Sequence, residues 1–403
     1  MLKFDPEAFA TESALPLFLE EHEAYRAAAR DFVDGELTPH VESWEDERDY
    51  PRAVFRTVAS AGHFGAKFDP QWGGAGPDLA AGAVWCEEVA RCGSAGLVAD
   101  LRAHAEFACM LIDRYGTEEQ KQRYLAPSIA GDLIGGFGVI DLDDDGVVED
   151  VPIRAKRDGD DWVLDGTDAL VMNGSWADYV VLAAGTDVAG APDGRETTFF
   201  IVDSDTAGLA AQRAKLGGWR TSHTGELSLA GVRVSDANRL GAAGDGAAVI
   251  ADHLAWERVV MALEAVTTAD AALAAAIAFA RDRQAFGRPV SSFQVWQHRF
   301  SDLATEVELG RSLSHHALRL YVAAADGQPV EPSELARVTS MAKLYGQRMA
   351  RRVADECVQV HGGAGYLMEY TAQRYWRDTR LGSLGGGTDD TMRDLVADTY
   401  GLR

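Results

Sequence analysis

The sequence predicts an α+β protein in three parts: an α-helical segment, a β-rich middle and a second helical segment. The grammar of the chain carries this reading. Apolar residues recur at helical spacing up to about Asp132 and again from about Gly246, whereas residues 133–242 break into short β-type runs between Gly, Asp and Asn turns. At 403 residues the chain is long enough for several compact units with a large core. The expected domains are 1–132, 133–242 and 243–403.

In the first part, residues 17–44 read as one long amphipathic helix with Tyr25, Ala28, Phe32 and Val33 on one face. Pro51 opens a shorter helix ending before Gly65. A glycine-rich loop, Gln71-Trp72-Gly73-Gly74-Ala75-Gly76, precedes helical patterns over 79–90 and 97–115. Thr117 is an N-cap, and Gln120 three residues later completes a capping box.

In the middle part, Trp162-Val163-Leu164, Tyr179-Val180-Val181-Leu182, residues 198–202 and residues 226–229 are strand runs. Asp158-Gly159 and Asp165-Gly166 fit hairpin turns or bulged connections. From about Gly246 the chain is helical again, with one helix running through Glu257 to Arg283, a second over about 293–325, a break at Gly327-Gln328-Pro329, and a third over 332–361. The alanines between Ala262 and Ala280 permit close helix–helix packing.

A net charge of −25 argues against nucleic acid and anionic membrane surfaces as partners. An anionic ligand must then be captured by local basic clusters. Cys86, Cys92, Cys109 and Cys357 have no metal-ligand spacing and read as reduced packing residues, so no metal is expected. No signal-peptide pattern opens the chain, and the longest apolar run, residues 271–280, is too short to span a bilayer. These features, with the Ala-rich and Lys-poor composition, lead us to expect a cytoplasmic bacterial protein.

Residues 356–390 organise the chain. A helical pattern breaks at Gly362-Gly363, and Gly385-Gly386-Gly387 follows about two dozen residues later. Arg374, Arg377 and Arg380 lie between the two glycine elbows. The stretch reads either as a seat for a large anionic ligand or as a helix C-cap, a loop and a short surface helix.

Here the chain resembles the acyl-CoA dehydrogenases. Gln359, Gly362, Gly363, Gly365 and Tyr366 match that family's Q-x-x-G-G-x-G-Y element. Arg377, Asp378 and Arg380 match its R-D-x-R, and Gly387-Thr388 its Gly-Thr. Arg283-Gln284-Ala285-Phe286-Gly287 with Phe293-Gln294 matches its R-x-x-F-G and Q signature. Weaker similarity covers nearly the whole chain, including the 71–76 loop. The resemblance implies an N-terminal helical domain, a middle β-barrel or sandwich and a C-terminal four-helix bundle. It also implies FAD, an acyl-CoA or acyl-carrier-protein substrate, and a homodimer or homotetramer with FAD across a subunit interface.

The resemblance further implies site residues. The family's usual base position, before Gly-Thr, is Gly386 here. Glu257-Arg258 matches instead the long-chain and isovaleryl types, which carry the base on the first C-terminal helix. Glu257 is then the base, desolvated to raise its pKa, with Arg258, Gly385 and Gly386 beside the substrate. Without the family, Glu257 is an ordinary helical glutamate paired with a cation. The three glycines make room for a bulky or branched acyl group, or form a flexible loop. Arg283, Phe286, Gln294, Gln359, Gly362 and Gly363, with Thr388, are implied cofactor contacts, mostly toward a neighbouring subunit's FAD.

The middle part departs from the family. T-E-P-x-x-G-S-D reads Ile140-Asp141-Leu142-Asp143-Asp144-Asp145-Gly146, and W-I-T-N reads Leu170-Val171-Met172-Asn173. Ile140 and Met172 thus stand at implied flavin-contact positions, and three aspartates lie where phosphates are expected, an unfavourable pairing. Three readings follow: a flavin-dependent acyl thioester dehydrogenase; a subunit of a mixed oligomer with a related chain, completing its partner's FAD site; and a flavin-free enzyme using Glu257 for dehydration or cyclisation.

Overall fold

The computed structural model describes residues 17–138, 151–187 and 195–402. Ile140, Asp143, Asp144, Asp145 and Gly146 lie outside the described residues. The N-terminal part packs short helices, among them Glu20–Phe32, Val41–Glu47, Ala53–Ser60, Leu79–Ala90, Ala95–Arg102 and Cys109–Tyr115. The single helix expected over 17–44 is interrupted by a π turn, Val33–Leu37, and a 3-10 turn, Thr38–His40. Pro39 has no N–H to continue an α-helical ladder. The wide π turn keeps residues four apart on one side, so Ala29, Val33, Leu37 and Val41 are buried together. Ala28, expected inside, is exposed. The capping box forms as read: Thr117 N–H donates to Gln120 Oε1 (2.9 Å) and Gln120 N–H to Thr117 Oγ1 (3.2 Å).

The middle strands are β1 Gly135–Gly138, β2 Ile153–Asp158, β3 Asp161–Met172, β4 Tyr179–Asp187, β5 Arg195–Asp203, β6 Leu209–Arg213, β7 Gly225–Ser235 and β8 Arg239–Leu240. They hydrogen-bond into one eight-stranded sheet in the order β6-β7-β3-β1-β4-β5-β8, with β2 beside both β3 and β4. Asp158-Gly159 lies at the β2–β3 hairpin, where Gly159 takes φ 66°. Asp165-Gly166 coincides with a bulge in the β3–β7 register.

Five α-helices make up the C-terminal part among the described residues: three long ones, Gly246–Asp282, Gln294–Ala325 and Pro332–His361, and two shorter ones, Thr371–Asp378 and Asp389–Thr399. Ala262, Ala269, Ala272 and Ala280 are wholly buried, and a Cβ added to Gly346 would lie 3.5 Å from the Ala262 carbonyl oxygen. The small residues therefore allow the close approach that the sequence suggests. The Gly246–Asp282 helix exceeds the uninterrupted apolar run and is long and apolar enough to cross a bilayer, yet most of its apolar window is buried inside the protein. It is the core helix of the bundle.

A polar joint ties the parts together. Buried Asp100 accepts hydrogen bonds from Tyr50 Oη (2.8 Å), Ser222 Oγ (2.7 Å) and the His223 N–H (2.7 Å). Burial lifts its carboxyl to about 7 despite these donors. Asn173, at φ 60°, donates to the Asp100 and Gly135 carbonyls. Arg377 pairs with Glu45, and Arg374 with Glu42 (3.2 Å), joining the C-terminal segment to the N-terminal helices. These two arginines are committed inside the protein, which corrects the reading of them as an anion seat. Replacing Asp100 with Ala takes the acceptor from Tyr50 Oη and the His223 N–H, while Ser222 Oγ keeps Thr224 Oγ1 at 2.8 Å, and at ~1–3 kcal/mol for each unsatisfied group we expect a loss of several kcal/mol. A thermal or denaturant midpoint indistinguishable from wild type would refute this account of the joint.

Candidate active site

Ile250, Leu254, Glu257 and Met261 follow one another at spacings of four, three and four along the Gly246–Asp282 helix, so they share one face. That face borders a cavity of about 190 Å³. Phe137 and Met172 of the sheet form part of its wall, Arg102 and Trp219 another part, and Leu381 with Gly385, Gly386 and Gly387 a third. The lining is mostly apolar, as expected of a site that excludes water.

Glu257 is the carboxylate in this wall. Burial raises its pKa above that of an ordinary glutamate, while the charges of Arg102, Arg258 and Lys343 pull the other way. Gly386 faces it: a Cβ there would stand 2.4 Å from Met261 Sδ and 3.3 Å from Glu257 Oε1. Gly386 and Gly387 have φ 65° and 83°, conformations that suit glycine. The loop is held from beneath by buried Lys343, whose ammonium donates to the Gly387 carbonyl. Burial draws Lys343 down to about 8, with Asp389 and Glu257 opposing.

Of the residues singled out in the sequence, the structure brings Glu257, Gly385, Gly386 and Met172 to this cavity. Arg258 is buried next to Glu257 but is not among the residues bordering the cavity, and among the described residues its Nε has no hydrogen-bond partner. The Thr388 hydroxyl caps the last helix, accepting the Thr391 N–H at 3.1 Å.

Arg283, Phe286, Gln294, Gln359, Gly362 and Gly363 lie elsewhere and are exposed to solvent. From Glu257 to Asp282 the helix alone spans about 38 Å. At that far end the His361 ring stacks on Phe279 at 4.0 Å, which sets the Gly362-Gly363 elbow beside the helix terminus. Phe286 is 98% exposed, and a Cβ added to Gly362 or Gly363 would meet nothing within 4 Å. One chain thus carries two separated groups of the implied cofactor residues.

Sequence reasoning missed Arg102, Trp219, Met261, Glu264 and Lys343. A signal existed for Arg102 and Glu264, since each is a charge on a buried helical face among Leu97, Val98 and Leu101 or among Val260 and Leu263.

Residues 19–132 match the model of the acyl-CoA dehydrogenase N-terminal domain and residues 244–401 that of the C-terminal domain. The chain is 33% identical to the "Probable acyl-CoA dehydrogenase YngJ" of Bacillus subtilis, covering 94% of this chain and 97% of that protein. The fold is similar to the acyl-CoA dehydrogenase of Geobacillus kaustophilus, with a TM-score of 0.87 at 32% identity over 96% of this chain and 99% of that one. It is also similar to a glutaryl-CoA dehydrogenase of Mycobacterium smegmatis solved in complex with FADH2, with a TM-score of 0.85 at 27% identity over 96% of each chain. The chain belongs to the acyl-CoA dehydrogenase family, a family of FAD-dependent oxidoreductases.

The two central glycines of the loop differ in a way that is testable. A Cβ at Gly385 would make only ordinary contact with Leu381 at 3.9 Å. Gly385→Ala is expected to change stability by less than about 0.5 kcal/mol. Gly386→Ala combines a left-handed φ with the Met261 contact and should cost about 1–2 kcal/mol or more. Equal thermal midpoints for the two variants would contradict this geometry.

Proposed function

We propose that this chain is a flavin-dependent acyl thioester dehydrogenase in which Glu257 is the catalytic base. The observation that carries the reading is a desolvated carboxylate facing a glycine in an apolar cavity. An acyl-CoA or acyl-carrier-protein thioester laid across Glu257 presents the proton on the carbon next to its carbonyl. Burial makes Glu257 a stronger acceptor for that proton than a solvated glutamate. Glycine at 386 leaves room for one carboxylate, and the open space at Gly385 accommodates a broad or branched acyl group.

FAD fits the residues present. Met172 and Glu257 border the same cavity, and Gly362 and Gly363 form an open elbow that a larger residue would fill. Arg283, Phe286, Gln294 and Gln359 are turned outward near that elbow, a guanidinium and amide set suited to pyrophosphate and ribose. When bound, FAD supplies the acceptor for the hydride that leaves the neighbouring carbon. Because the two groups are far apart in one chain, a second copy is needed to complete each site. We therefore propose a homodimer, or a dimer of dimers, built through the C-terminal helices. Exposed Phe286, Tyr366 and Leu309 on this part support an apolar interface. The acidic, cysteine-poor composition suits the bacterial cytoplasm.

Purified protein should show flavin absorbance. A colourless protein that does not take up added FAD would favour flavin-free proton chemistry at Glu257 instead. Glu257→Gln should lower kcat by several orders of magnitude with the flavin spectrum and folding retained. Retention of more than about a tenth of the rate would remove Glu257 from the mechanism. Glu257 must be ionised to accept a proton, and its pKa is raised. The acid limb of kcat/KM is therefore expected to fall away at a pH above that of an ordinary glutamate, and a limb at or below it would contradict the desolvated site.

A further inference from the structure

The face that carries Glu257 continues inward. Glu264 lies two turns further along the same helix, about 10 Å away, with Thr268 one turn beyond. A second cavity, of about 50 Å³, is bordered there by Glu264, Thr268, Tyr375 and Asp378. Arg102 and Trp219 border both cavities, so they mark the junction. Arg102 Nη1 donates to Glu264 Oε2, and the guanidinium lies 5.5 Å from the centre of the Trp219 ring.

This ion pair is one-armed. Arg102 is 6% exposed and Glu264 9% exposed, yet among the described residues the Arg102 Nε–H and Glu264 Oε1 both lack a hydrogen-bond partner. Two other charges nearby are engaged: Lys67 pairs with Glu106 at 2.6 Å, and Asp378 accepts the Trp219 backbone N–H at 2.8 Å. Buried polar atoms are rarely left unpaired. Here one unpaired donor and one unpaired acceptor belong to two paired side chains that both border the inner cavity.

We propose that Arg102 and Glu264 form a specificity site for an uncharged hydroxyl or carboxamide carried on the acyl chain several carbons beyond the thioester. Such a group accepts from Arg102 Nε and donates to Glu264 Oε1 at once. An aliphatic end leaves both atoms unpaired, and a carboxylate end gains Arg102 but meets the charge of Glu264. The proposal rests on the reading of the Glu257 cavity as an acyl thioester site.

Three non-oxidisable probes test it on the holoenzyme by calorimetry: S-hexyl-CoA, its 6-hydroxy derivative and its terminal carboxylate. Burial lifts Glu264 to about 7, so the titrations are run at pH 8, where its carboxylate predominates. The hydroxy probe should bind at least about tenfold more tightly than the other two. Arg102→Lys keeps a cation for Glu264 but lacks the Nε–H. It should reduce the preference to about twofold or less, whereas a merely structural role would weaken all three probes alike and leave the ratio standing. Equal or tighter binding of the alkyl or carboxylate probe, or a preference that survives Arg102→Lys, would overturn the proposal. Turnover of hexanoyl-CoA without any preference would sink this site alone. Failure to bind any probe or to oxidise hexanoyl-CoA would sink the acyl thioester reading with it.

Discussion

Half-buried Glu257 and buried Glu264 share one face of the Gly246–Asp282 helix, and the cations that offset them come largely from other elements. Arg102 of the N-terminal helices pairs with Glu264, while Arg102, Arg258 and Lys343 surround Glu257. Glu106 lies on this side as well, taking Lys67 at 2.6 Å and the Trp256 indole N–H at 2.9 Å. A buried charge stripped of its partner costs several kcal/mol. The helix therefore cannot hold its carboxylates in place unless the N-terminal helices, the Pro332–His361 helix and the glycine loop are docked around it. Lys343 makes the coupling explicit, since its ammonium serves the Gly387 carbonyl and the field at Glu257 together.

The same logic fixes the middle sheet. Asp100 follows the start of the helix that ends at Arg102, so the residue that gathers Tyr50, Ser222 and His223 lies two positions from the one that lines the cavity. Trp219 is pinned nearby by its N–H to Asp378. Met172 and Asn173 are adjacent: the first reaches the cavity wall and the second anchors its strand end to the Asp100 and Gly135 carbonyls. A shift of the sheet against the helices would break several buried hydrogen bonds at once, and that rigidity is what allows the cavity to keep its shape.

Much of this was legible in the sequence because it depends on local chemistry. The three long C-terminal helices were found from their periodicity and breaks, and the Thr117–Gln120 cap from its spacing. The pairing of Glu257 with Gly386 was anticipated from the family pattern, and the two do face each other. What escaped was set by partners distant in sequence. Arg374 and Arg377 look free in a one-dimensional reading, yet Glu42 and Glu45, over three hundred residues earlier, take them. Arg102 and Glu264 gain meaning only when two helices cross. Ala29 rather than Ala28 joins the buried face, in step with His22, Tyr25 and Val33 at ordinary helical spacing, and the π turn at Val33–Leu37 then carries that face on to Leu37 and Val41.

One helix sets both ends of the proposed chemistry. It carries Glu257 in its first half and delivers the chain to Arg283 at its far end, and no proline or glycine interrupts it between Ala247 and Asp282. Kinks in helices concentrate at such residues. Without them, the rise of 1.5 Å and the turn of 100° per residue fix the phase of Arg283 relative to Glu257. Inserting or deleting one residue would rotate the outward group by about 100° around the axis while leaving the cavity unchanged. The alanines that let this helix pack closely also keep it straight and continuous. The composition that first marks the segment as a bundle core is thus the same feature that holds the two groups of residues in register.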